Sequence, residues 1–100
     1  MNEVGSTAGF AATKDGRWMY SGMLTLQNAG RVFAVASKMP LPSSGTIDFS
    51  GLAQADSAAL AVAIALKRRA AAERRTVSLQ ALPATLMTLA VAYGVEELLA

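Results

Sequence analysis

The residues of this 100-residue chain that could do chemistry are few, and the missing ones narrow the field first. There is no histidine and no cysteine. Without them, the common metal-ligand sets and the Ser–His and Cys–His nucleophile pairs cannot be assembled. No Gly-x-Ser-x-Gly elbow, phosphate loop or dinucleotide glycine fingerprint occurs. Glu96 and Glu97 are adjacent, so on a helical turn their side chains diverge, and they read as a solvated helix end rather than an acid/base pair. Asp48 and Asp56 lack other evident oxygen ligands, and they read as strand-end and helix-start hydrogen-bond acceptors rather than a cation site. A Ser–Lys or acid-only mechanism stays open without a motif that points to it. The expectation is no enzyme, no catalytic residue, no metal and no cofactor.

One short stretch remains. Asp56 and Ser57 are both helix-capping types, and they stand directly before an apolar run that starts at Ala58. A helix start has unpaired N–H groups and a partial positive charge, which favour an acceptor or an anion. As plain structure, Ser57 is an N-cap worth about 1 kcal/mol. As function, its hydroxyl is half-exposed and a phosphate on it would be favoured at a helix start, which makes it a candidate phosphoacceptor.

The elements that must position this stretch follow from pattern. Residues 1–12 are polar and rich in Gly, Ser and Thr, and read as a flexible arm with a first strand near Gly9–Thr13. Lys14-Asp15-Gly16 is a hairpin turn signal. Arg17–Leu24 reads as a strand with Trp18, Tyr20 and Leu24 on one face. Thr25 caps a helix to about Ser37, with Leu26, Ala29, Val32, Phe33 and Ala36 at helical spacing. Pro40, Pro42 and Gly45 make a loop before a strand over Thr46–Leu52. A helix over Ala58–Ala72 is followed by a strand over Arg75–Gln80 with Val77 and Leu79 inward. Pro83 then opens a last helix, with Leu82, Leu86, Leu89, Ala90 and Tyr93 as its buried stripe and Gly94 as its stop. Val95–Leu99 adds a short turn. The order β-β-α-β-α-β-α implies an α/β domain, residues 13–100, with parallel strand pairs joined through helices packed mostly on one face.

Composition sets the remaining bounds. The chain is 53% hydrophobic and 16% charged, enough apolar material for one core. The longest apolar run, Ala58–Leu66, is far short of the ~20 residues that a membrane span needs. Met1–Ala12 lacks the pattern of a signal peptide, and the absence of cysteine fits a reducing compartment. A cytoplasmic location is expected. Nine Lys and Arg against seven acids leave a net charge of only +2. Most of the basic charge lies in Lys67, Arg68, Arg69, Arg74 and Arg75. The expectation there is a solvated helix end offsetting the macrodipole, with an acidic partner or lipid headgroups as the alternative. Nucleic acid comes last, because no aromatic residues interleave the charges.

The stretch Asp48-Phe49-Ser50-Gly51, followed by Asp56-Ser57-Ala58-Ala59-Leu60, resembles the STAS domain family (sulfate transporter and anti-sigma factor antagonist). That family's pattern is a strand ending Asp-apolar-Ser-Gly, then Asp-Ser/Thr-Ala/Ser-Gly-Leu at a helix start. Gly22-Met23-Leu24-Thr25 and Asn28-Ala29 match its strand-to-first-helix junction. The ending, from Leu82-Pro83 to Tyr93-Gly94-Val95-Glu96-Glu97-Leu98-Leu99, is similar to the MlaB-type STAS subunits of bacterial phospholipid-trafficking ABC transporters. The likeness runs from about Arg17 to Leu99. It implies a STAS-like fold, with a mixed four- to five-stranded sheet and three to four helices. It also implies a non-catalytic subunit that binds and stabilises or regulates the transporter's cytoplasmic ATPase, which is joined to a permease. Such a subunit would be peripheral at the inner membrane through that partner and would serve outer-membrane lipid asymmetry. The implied partner-binding residues are Asp56, Ser57, Ala58, Ala59 and Leu60. The alternative is an anti-sigma factor antagonist switched by an anti-sigma factor kinase at Ser57. One departure is Ala59, where the family commonly has glycine; its methyl is expected to narrow a partner's approach.

Overall fold

A computed structural model describes residues 8–100. The Lys14-Asp15-Gly16 turn joins β1 (Gly9–Ala12) to β2 (Trp18–Leu24) as an antiparallel hairpin. Gly16 takes the positive φ of 83° that the turn needs, and Thr13 N–H donates to Arg17 O at 2.8 Å to close it. The arm expected over residues 1–12 thus ends in a sheet strand. Residues 1–7 of that arm lie outside the described residues.

The chain continues through α1 (Ala29–Ala36), β3 (Thr46–Ala55), α2 (Ser57–Ala72), β4 (Ser78–Gln80) and α3 (Ala84–Ala92) to a 3-10 turn, Glu96–Leu99. The sheet order is β1-β2-β3-β4. It is mixed: β2, β3 and β4 are parallel neighbours and β1 is antiparallel at the edge. This is the expected α/β fold and element order.

One face of the sheet makes the core. Trp18, Tyr20 and Leu24 of β2 and Ile47 and Phe49 of β3 are buried, while Ser21 and Ser50, next to Tyr20 and Phe49 in the alternation, are exposed. Phe10 packs its ring against Trp18, Tyr20 and Phe49, with centroids 5.4, 4.7 and 5.8 Å away. Val32 and Ala36 of α1, Leu60, Ala63 and Leu66 of α2, and Leu86 and Ala90 of α3 complete the cluster.

Several boundaries differ from the sequence reading, each for a local reason. β3 runs to Ala55, not Leu52, because its pairing with β2 shifts register between Met19 and Ser21 and again between Gly22 and Met23. At this irregularity the strands come so close that a Cβ on Gly51 would sit 2.4 Å from Tyr20 O, which only glycine permits. α1 starts at Ala29 with Asn28 at its cap, so Thr25 does not cap it and Leu26 is outside its apolar stripe. β4 keeps only the last half of the expected strand, although Val77 is buried as expected. Tyr93 is 60% exposed rather than part of the buried stripe, since α3 has ended before it.

Candidate functional site

Parallel strands deliver their C-terminal ends to one edge of the sheet, where ligands and partners of α/β folds commonly meet the loops. Here Leu24 of β2 pairs with Ala55 of β3. The residues that follow each strand, the turn Thr25–Asn28 and Asp56, are therefore neighbours. Asp56 is extended (φ −132°, ψ −165°) and its two carboxylate oxygens serve the two elements separately. Oδ1 accepts from Ala58 N–H at 2.8 Å, capping α2. Oδ2 accepts from Leu26 N–H at 3.0 Å, tying the turn to the helix start. The turn is fixed from its other side by Asn28, whose Oδ1 accepts from Thr25 N–H at 2.9 Å and whose Nδ2 donates to Met23 O at 2.9 Å.

Ser57 is the first residue of α2 and is exposed. Asp56, not Ser57, is the cap. Asp56 supplies the acceptor for the helix N–H, so the Ser57 hydroxyl is left without a hydrogen bond among the described residues. It faces outward and can both donate and accept. A phosphate placed on it would gain from the helix start but would stand beside the Asp56 carboxylate.

The other expected partner-binding residues divide by burial. Ala58 is half-buried and lines a shallow apolar groove of about 260 Å³ between α1 and α2, with Ala29, Gly30, Phe33, Ala61 and Ala65. Ala59 and Leu60 are buried and point into the core. The methyl of Ala59, expected to narrow a partner's approach, is instead packed beneath the helix.

Asp48 lies in β3 and Asp56 follows its last residue, roughly 25 Å away by strand rise, and each has its own partners. Asp48 accepts from Ser50 N–H at 2.7 Å and pairs with Arg17 at 3.3 Å. The hydrogen bonds from Ser50, with Arg17 adding, hold its carboxyl below the ordinary 3.8. Among the described residues no group of three acids could hold a metal.

The basic cluster departs most from expectation. A solvated helix end describes Arg68 and Arg74, which are exposed. Arg69 instead donates to Ala36 O at 3.0 Å and Met39 O at 2.6 Å and pairs with Glu73 at 2.8 Å. Arg75 donates to Pro42 O at 2.6 Å and Leu41 O at 3.4 Å, and Lys67 to Val77 O at 2.7 Å. Arg69 and Arg75 thus bind the end of α1 and its connection to β3 to the end of α2, and Lys67 binds α2 to the residue before β4.

The sequence reading missed the turn Thr25–Asn28 and its outward Leu26, which is 83% exposed. The available signal was Thr25-x-x-Asn28, two side chains that commonly hydrogen-bond their local backbone.

A family model described as Mlab, STAS domain matches residues 19–100. No curated protein matches the chain.

Proposed function

The chain belongs to the STAS domain family in its MlaB type, and from that premise we propose that it is a non-catalytic subunit that docks on the ATPase of an ABC transporter moving phospholipid between membranes. Family membership supports a non-catalytic regulatory domain, and the ATPase is the partner that the MlaB type implies. The observation that carries the reading is the hydroxyl of Ser57, exposed and unengaged among the described residues, on a helix start made rigid by Asp56. A preformed surface loses little entropy on docking. Among the described residues no helix is long and apolar enough to cross a membrane. Attachment to the inner membrane runs through the partner.

The test is affinity for the ATPase measured beside thermal melting of the free chain. Ser57→Thr keeps the hydroxyl and should bind like wild type. Ser57→Ala should lose about 1 kcal/mol of affinity. Ser57→Arg and Ser57→Glu should lose more, through bulk and a desolvated charge. A folded Ser57→Arg that binds as tightly as wild type overturns the assignment. The exposed hydroxyl also suits a phosphoacceptor. A phosphate on Ser57 in chain recovered from cells, with a kinase co-purifying instead of an ATPase, would favour the anti-sigma factor antagonist.

A further inference from the structure

We propose that α1 and its flanks, residues 26–42, form a strap that lifts as a unit while the sheet, α2 and α3 stay folded. This motion belongs to the chain alone and does not depend on the docking reading above.

α1 is a weak helix by its own sequence. Its eight residues make about two turns, and isolated helices below ~12–15 residues are marginal in water. The Asn28 side chain makes no cap hydrogen bond to the helix, and no acid in the first turn or base in the last offsets the dipole. Gly30, Val32 and Val35 are poor helix formers. Little apolar burial makes up for this. Within α1 only Val32 and Ala36 are buried, and the loop behind it adds Leu41 and Pro42. By contrast, α2 buries Ala59, Leu60, Val62, Ala63, Leu66 and Ala70. The groove of about 260 Å³ between α1 and α2 leaves the two helices loosely packed along their length.

The strap is held instead by hydrogen bonds at its two ends, and these come from the two ends of α2. Asp56, the cap of α2, accepts from Leu26 N–H at 3.0 Å. Arg69, in the last turn, donates to Ala36 O at 3.0 Å and Met39 O at 2.6 Å, and Arg75 beyond it donates to Pro42 O at 2.6 Å. Between them, Arg31 donates to Ala8 O at 3.0 Å. The Arg69 side chain is 21% exposed, so water reaches its bonds and can replace them. The large buried side chains Trp18, Tyr20, Phe49, Leu66 and Leu86 all lie outside the strap, so most of their packing survives its lifting. What it uncovers is Val62, on the face of α2 that α1 covers.

Native-state hydrogen exchange of the full chain in low urea is the test. The reporters are Val32 N–H, bonded to Asn28 O, and Ser37 N–H, bonded to Phe33 O. In wild type they should exchange about tenfold or more faster than the slowest amides of the β2–β3 ladder. Their urea dependence should be shallower, because lifting exposes less surface than unfolding. Leu86→Val, in α3, should speed the ladder amides a few-fold and leave both reporters unchanged, because α3 stays folded when the strap lifts. Arg69→Gln should speed the reporters about tenfold or more, since a charged donor is lost. Gly30→Ala, whose added methyl meets nothing within 4 Å, should slow them about threefold. Reporters that exchange at the ladder rate with the full urea dependence would mean that α1 leaves only with the whole fold, and the proposal falls. Reporters that are fast in wild type but indifferent to Arg69→Gln would mean plain fraying of a short helix, and it falls equally.

Discussion

Asp56 holds the N–H of Ala58 with one oxygen and that of Leu26 with the other, so its removal should be felt twice. Asp56→Ala takes away a helix cap and an anchor of the turn, and stability should fall by about 1–2 kcal/mol in a denaturant titration. Asp56→Asn keeps one acceptor oxygen and should lose less. Ser57→Ala should leave stability nearly unchanged, because its hydroxyl serves no backbone group among the described residues. Sequence placed both residues at the helix start but could not say which one caps, since both types are capping residues. The choice is made by Leu26 N–H, thirty residues earlier in the chain. Asp48 gives a pH-dependent case. Hydrogen bonds from Ser50 and the charge of Arg17 lower its pKa in the fold, so it contributes stability that is fully present above its unfolded pKa. That contribution is lost as pH falls through the folded value. Below about pH 4, the urea midpoint of wild type should therefore fall more steeply with acid than that of Asp48→Asn. Equal slopes would mean that the pairing is not felt in solution.

At the scale of elements, the end of α2 works as a clamp. The loop from Ser37 to Gly45 has little core of its own beyond Leu41 and Pro42. Its carbonyls, with that of Ala36, are held by Arg69 and Arg75. A hydrogen bond from a charged donor is worth about 1.5–3 kcal/mol. Arg69→Gln and Arg75→Gln should each lower stability by roughly that amount, and Arg68→Gln and Arg74→Gln by less than about 0.5 kcal/mol. Paired melts would separate the two sets, and equal losses in all four would restore the solvated helix end. No sequence signal could divide the cluster, because the acceptors are backbone carbonyls that leave no trace in side-chain identity. The strand and helix order was legible because Trp18, Tyr20, Ile47 and Phe49 alternate as a half-buried sheet requires. The extension of β3 was not, because it depends on a register shift and on Gly51 meeting Tyr20 O.

In the whole molecule, folding and the proposed docking fall to different side chains of one short segment. The family motif put Asp56, Ser57, Ala58, Ala59 and Leu60 together; from sequence Leu60 reads as the core anchor, whereas Ala58 and Ala59 both read as small surface residues. Helical periodicity in the folded chain separates those two. Ser57 is exposed, Ala58 borders the groove, and Ala59 and Leu60 are 1% and 4% exposed among core residues. Leu60→Ala should therefore lose about 2–5 kcal/mol of stability through transfer and cavity terms. Out of a total of roughly 5–15 kcal/mol for a domain, that depletes the folded population when the chain is warmed. Its binding to the ATPase should fall only as far as the folded fraction falls, and should recover on cooling to where the variant is fully folded. Ser57→Arg should show the opposite pattern, with an unchanged melt and an affinity loss that cooling does not repair. The comparison is a melting curve and a binding isotherm for each variant at two temperatures on either side of the Leu60→Ala transition. A fully folded Leu60→Ala with a selective binding defect would mean that a partner reaches the inner face of α2. The division between support and surface would then have to be redrawn.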